Sequence, residues 1–149
     1  MSEPVEVAIQ KALTDRATAF AIAQGMAAAI SYPNVVFTPP AAKTGTVYGK
    51  WLQVSFLPAP SFETGISFNS HNKHNGIFQV SVFHGIGAGE PAIARIAAAA
   101  IQFFPRGLQL PTESEPVRID KQAYRGPMLK DDPWMMIPVS IPYQCFARP

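Results

Sequence analysis

Apolar and polar positions alternate with period two in three stretches of the chain. Over residues 77–83, Phe78, Val80 and Val82 fall on one face, with Gln79 and Ser81 on the other. Residues 51–57 repeat the pattern, Leu52, Val54 and Phe56 inward and Gln53 and Ser55 outward. Met135, Ile137, Val139, Ile141, Tyr143 and Cys145 form the inner face of a last strand. Over residues 90–104 the period lengthens: Ile93, Ile96, Ala97, Ala100, Ile101 and Phe104 recur at three- and four-residue steps, one continuous helical stripe. Pro91 suits the first turn, where a missing N–H costs nothing, and Pro105 and Gly107 stop the helix. A second helix is predicted over residues 5–30, with Ile9, Leu13, Phe20, Ala27 and Ile30 approximating one face. Ser31-Tyr32-Pro33 ends it, because the residue before a proline avoids the helical region.

Weaker signals fill the remainder. Val35-Val36-Phe37 and Val117-Arg118-Ile119 read as short strands, and Ile66 and Phe68 mark another. Residues 38–49 form a loop rich in proline and glycine, and residues 122–133 a charged loop. Residues 70–76 read as a polar hairpin loop whose Asn75-Gly76 is a strong turn signal. The pattern predicts an α+β fold: a mixed, mostly antiparallel sheet of five to six strands with two helices packed on one face. A chain of 149 residues fits one domain with a sizeable core, and no repeat or linker divides it.

Two features bear on assembly. The outward positions Gln53/Ser55, Gln79/Ser81 and Ser140/Gln144 are polar yet uncharged. A solvated sheet face usually carries Lys or Glu, whereas interface cores are depleted of charge; the bland alternative is an exposed face with nothing on it. Pro138 and Pro142 share parity, so their missing N–H groups lie along one edge of the last strand. That predicts a strand at the rim of the sheet, blocked against further pairing, or else a short irregular one.

Composition narrows the function. Apolar content of 48% and charge of 15% mark a globular chain. A net charge of +2, with the charges interspersed, is too weakly basic to indicate nucleic acid. No apolar run spans a membrane, and Met1-Ser2-Glu3-Pro4 does not open a secretory signal. A single cysteine makes no internal disulfide, in keeping with a reducing compartment. Gly85-x-Gly87-x-Gly89 places Glu90 where a dinucleotide fingerprint wants glycine, and a carboxylate at a helix N-terminus repels pyrophosphate. His71-x-x-His74 with His84 lacks a neighbouring carboxylate or thiolate to complete a metal set. Cys145 falls on a core face without a basic neighbour to activate it. No catalytic, cofactor-binding or metal-ligating residue is assigned, and no enzymatic activity is expected.

Trp51 and Trp134 each begin a strand after a loop, as interface anchors or as lids on the core. Lys43, Lys73, Arg125 and Lys130 are the loop cations expected to meet a partner. With Gln53 and Gln79 from the neutral face, these make up the candidate interface. Pro39-Pro40, Trp51 with Leu57-Pro58, residues 76–80, and Trp134 with residues 138–142 resemble a family of small prophage proteins. That family is similar to the tail terminators of long-tailed phages of the lambda type, and the likeness spans nearly the whole chain. The resemblance implies a subunit that assembles into a ring, expected to be hexameric, on the head-proximal end of the tail tube. Its implied partners are further copies of itself, the tail tube protein and the head-completion protein, with no sequence-specific nucleic acid and no membrane. Its implied location is the virion tail, and the bacterial host cytoplasm during assembly. Another neck or head-tail completion protein is the alternative, and a small-ligand-binding or enzymatic domain a more distant one.

Overall fold

A computed structural model describes residues 4–60, 62–63, 72–112 and 115–147. It contains helices α1 (Val5–Ala23) and α2 (Glu90–Phe103). The strands are β1 (Ile30–Ser31), β2 (Lys43–Thr44), β3 (Val47–Tyr48), β4 (Lys50–Pro58), β5 (Phe62–Glu63), β6 (Asn72–Gly85), β7 (Gln109–Leu110), β8 (Val117–Ile119), β9 (Tyr124–Arg125), β10 (Leu129–Asp131) and β11 (Trp134–Ala147). The fold is α+β, with both helices on one face of a mixed sheet. Among the described residues that sheet has nine strands, more than the pattern predicts, in the central order β1-β4-β6-β11-β8-β7. Strands β5, β9 and β10 pair alongside, and β2-β3 is a separate hairpin. No helix among the described residues is long and apolar enough to cross a membrane.

Strands β6 and β11 form the long axis of the sheet, antiparallel from Trp134↔Gly85 to Ala147↔Asn72. The predicted inward positions are the buried ones. Phe78, Val80, Val82, Ile137, Val139 and Ile141 lie under the helices with Leu52 and Val54, against Ile9, Leu13 and Phe20 of α1 and Ile93, Ile96 and Ala97 of α2. Phe78 sits in the middle, its ring 4.9 Å from Phe56 and 5.9 Å from Phe104. Arg16 of α1 ties the helices together. Its Nε and Nη2 donate to the Phe103 carbonyl at 3.1 and 2.7 Å, supplying the positive charge that the last turn of α2 lacks.

Several predicted elements differ. Helix α1 stops at Ala23, well short of residue 30. The Gly25 N–H donates to Ile22 O and the Met26 N–H to Ala21 O, a Schellman closure with Gly25 at φ 72°. The chain then turns, and Ile30–Ser31 becomes an edge strand parallel to β4. Residues 35–37 are loop and not strand, turned by Asn34 at φ 58°. The predicted loops 38–49 and 122–133 contain the β2-β3 hairpin and the short strands β9 and β10. Ile66, Phe68, Ser70 and His71 lie outside the described residues.

Asn75-Gly76 is not a hairpin turn but lies inside β6, where close packing and not turning demands glycine. A Cβ on Gly76 would come within 2.7 Å of Leu57 O, 2.8 Å of Pro58 Cα and 2.8 Å of the Tyr143 hydroxyl.

The last strand is not at the rim. Strand β11 lies inside the sheet, with β6 on one side and β10, β9 and β8 on the other. The Pro138 carbonyl accepts from Gly126 N–H at 2.8 Å, so the proline's missing N–H points toward the same side. Partners there pair at residues 134–136, 139–140 and 143–144, and the two prolines fall in the gaps. Proline at a central strand is tolerated because its neighbour is broken into pieces at those places.

Replacing Gly76 by alanine is expected to destabilise the protein by about 1–3 kcal/mol, since two of the three contacts are backbone and cannot rotate away. Urea denaturation of the variant against the parent measures it.

Candidate assembly surface

The sheet face turned away from the helices divides into two zones. Near the start of β11, Trp51, Phe83 and Trp134 form a second apolar cluster, separate from the main core. Trp51 stacks on Phe83 with centroids 3.9 Å apart and planes 8° from parallel, and Trp134 meets it edge-on at 6.0 Å. Phe37 packs on the Trp51 ring at 5.2 Å, and Ala29 and Ala42 close the cluster. The buried indole N–H of Trp51 has no acceptor, so ring packing and not hydrogen bonding holds it. Both tryptophans are only 8% exposed. They act as lids that pin the loop over residues 32–48 to the sheet, and only their rims reach the surface.

Along the strands from this cluster the face is partly open, Gln53, Leu57 and Tyr124 exposed, most of the rest half-buried and Ser81 buried. Cross-strand register assembles three rows: Gln53, Ser81 and Pro138; then Ser55, Gln79, Ser140 and Tyr124; then Leu57, Ile77 and Pro142. None of these residues carries a formal charge, while Leu57 and Tyr124 are each about half exposed. Covering such a surface removes apolar area from water without stripping the hydration of an ion, whose burial costs several kcal/mol. Charge lies at the two margins of these rows, at Asp131 opposite Trp134 and, at the other end, at Arg118 beside Gln144 and Lys73 opposite Phe146.

The structure brings Trp51, Trp134, Gln53 and Gln79 onto this one face. The four cations are dispersed and lie on strands. Lys43 is on β2 with its ammonium 5.1 Å from the Tyr48 ring, Lys73 is at the far end of β6, and Arg125 and Lys130 are exposed on β9 and β10. Leu57 and Tyr124 were missed by sequence reasoning. Leu57 continues the outward parity of Gln53 and Ser55, a signal that was present; Tyr124 needed a strand too short to show periodicity.

The remaining chemical groups are scattered. His74 and His84 stand ten residues apart on one strand, about 33 Å at the ordinary rise, so they do not share a ligand. The Gly85–Gly89 turn packs against the chain, and a Cβ on Gly85 would collide with the Ala42 carbonyl. Among the described residues no three His, Cys, Asp or Glu side chains converge. A cavity of about 550 Å³ beside α1 is lined by Glu6, Phe56, His74, Asn75 and Tyr143. Cys145 is buried on the core face, its thiol 3.6 Å from the Glu115 carbonyl oxygen. Burial pushes the Cys145 thiol above its ordinary range, and the Glu115 charge adds to this. Burial, and then Glu6, does the same to the Tyr143 phenol.

An α+β protein with a neutral sheet face and no converging catalytic groups among the described residues is what these features describe. The chain belongs to the phage tail terminator protein family, whose model matches residues 8–143, and it is a structural phage tail protein. A solved protein structure 27% identical in sequence superposes with a TM-score of 0.75, covering 94% of each chain. A chain in the virion of a native gene transfer agent particle matches at 19% identity and a TM-score of 0.47, over 96% of this chain and 93% of that one. No curated protein matches the sequence.

Trp134→Ala is expected to cost about 3–5 kcal/mol, because removing one wall of the cluster leaves a cavity under the 32–48 loop; thermal denaturation followed by Trp51 fluorescence reads it. Cys145 and Tyr143 keep their protons longer folded than unfolded. Their contribution to stability is therefore whole below about pH 8.5 and declines as pH rises through the raised thiol value and then the phenol's. Urea midpoints from about pH 7 to about pH 10 test this, with Cys145→Ala flattening the earlier part of the decline.

Proposed function

We propose that this protein forms a ring that caps the tail tube at its head-proximal end, stops tube polymerisation and offers the surface on which the head-completion protein docks. The family membership supports this reading, and the observation that carries it is the partly open, charge-free face of β4, β6 and β11. A heterologous contact repeated about an axis closes into a ring when the rotation closes, and a broad neutral face is suited to burial against protein. In this reading the face receives the tube end or the head-completion protein. If the face instead lines the channel, its lack of cations gives it little affinity for phosphate, so DNA would slide past without being held. The role is contact geometry without catalysis, carried out in the bacterial host cytoplasm during assembly and afterwards in the virion tail.

Electron microscopy of the protein mixed with its cognate tail tubes tests the reading. Ring-shaped caps on one end, with tubes that no longer lengthen, are the expected result. A protein that ignores tubes at high concentration overturns it. The double variant Gln53→Lys, Ser140→Lys should keep the parent's circular dichroism and, as a surface change, its stability within about 0.5 kcal/mol. It should nevertheless fail to cap tubes, because two ammonium groups would have to be desolvated on docking.

A further inference from the structure

The inner face of the sheet outruns the part of the core that the helices fill. Beyond the row of Phe56, Phe78 and Ile141, the strands β4, β6 and β11 continue through Pro58, Gly76 and Tyr143. By alternation Phe56, His74 and Tyr143 point to the same side as Val54, Phe78 and Ile141, the side under the helices. The first turns of α1 reach this end of the sheet through Glu6, Ile9 and Gln10, and a cavity of about 550 Å³ is left between helix and strands. That volume is ordinary for a ligand site.

The lining of this cavity is not neutral. Ile9, Phe56 and the Tyr143 ring make it apolar and aromatic within, and Pro58 and Pro60 restrict the backbone of the adjoining wall. A wall fixed in this way loses little conformational freedom on binding. Gly76 has no side chain to fill the floor, and a Cβ there would meet the Tyr143 hydroxyl at 2.8 Å, so the phenol extends over it. Among the described residues Glu6 is the one formal charge in the lining, which holds no Lys or Arg. Glu6 is exposed and makes no ion pair with a described residue. Its charge still reaches the floor: after burial, it is what raises the Tyr143 phenol. The Gln10 amide oxygen and the Tyr143 hydroxyl add hydrogen-bond acceptors.

An unpaired carboxylate at the mouth and aromatic rings within suit a cation carried on an apolar stem. Arginine meets both. Its guanidinium stacks on aromatic faces and forks onto a carboxylate, and its methylenes lie along apolar walls. An anion would instead face Glu6. No cation in the described lining could receive the carboxylate of a free amino acid, so the arginine that fits is one within a chain. We propose that this cavity binds the side chain of an arginine presented by a partner protein. The contact is separate from the neutral sheet face and does not depend on the ring reading.

Nuclear magnetic resonance of the full chain, titrated with arginine capped as its N-acetyl methylamide, tests this. Saturable shifts at Glu6, Gln10, His74 and Tyr143 are expected, with a dissociation constant of about 1 mM for the isolated residue. Capped citrulline, which has the shape without the charge, should bind at least about fivefold more weakly, the limit set by a solvent-exposed ion pair. Glu6→Gln alters an exposed side chain, so its circular dichroism should match the parent's while its affinity for capped arginine falls by a similar factor. The absence of saturable shifts overturns the proposal, as does equal binding of citrulline or unchanged affinity in the folded Glu6→Gln variant. Free arginine binding as tightly as the capped form would make the occupant a small cation and overturn the protein partner.

Discussion

The antiparallel ladder between β6 and β11 is the constraint on which the rest of the structure depends. It runs the full length of both strands, and each of the other elements of the main sheet joins one of these two strands directly or through a single neighbour. Because side chains alternate across a strand, a slip of one residue in this ladder would exchange the buried set around Phe78, Val80, Ile137 and Val139 for Gln79, Ser81, Pro138 and Ser140. Register is therefore fixed by the core, and the composition of the opposite face follows from it. Gly76 belongs to the same constraint: β4, β6 and β11 converge there too closely for a side chain at that position.

The two sides of the sheet are used differently. The helical side holds most of the buried apolar residues and is tied across by Arg16. The other side is covered at one end by a loop clamped on two tryptophans and a phenylalanine, and is neutral along the rows from Gln53 to Pro142. That arrangement separates what holds the fold together from the neutral face, so substitutions at Gln53 or Ser140 leave the core under the helices undisturbed.

Much of this was legible in the sequence, and the rest was not for identifiable reasons. The three long strands and α2 were readable because their apolar periodicity extends over seven or more residues, and the neutral face followed from the same alternation. The end of α1 was misjudged although Gly25 stood inside the predicted helix; the alanines after it continue the apolar run and masked the stop. Asn75-Gly76 carried a turn's composition for a packing reason that only the approach of Leu57, Pro58 and Tyr143 reveals. Pro138 and Pro142 were correctly seen to share one side of β11. The strand was nevertheless placed at the rim, because nothing in the sequence shows that three two- and three-residue strands align against that side with gaps opposite the prolines. The loop conformation of Val35 and Val36 was hidden by their own β-forming character.

The position of β11 along the chain has a consequence for how the protein is made. The strand that completes the centre of the sheet follows every other described element, and α1, which precedes them all, shares a core with it. A nascent chain still tethered to the ribosome short of Ile137–Cys145 has half a sheet and two helices with nothing to close on. Folding of the domain is thus deferred until those residues have emerged, and incomplete translation products lack the centre of the sheet.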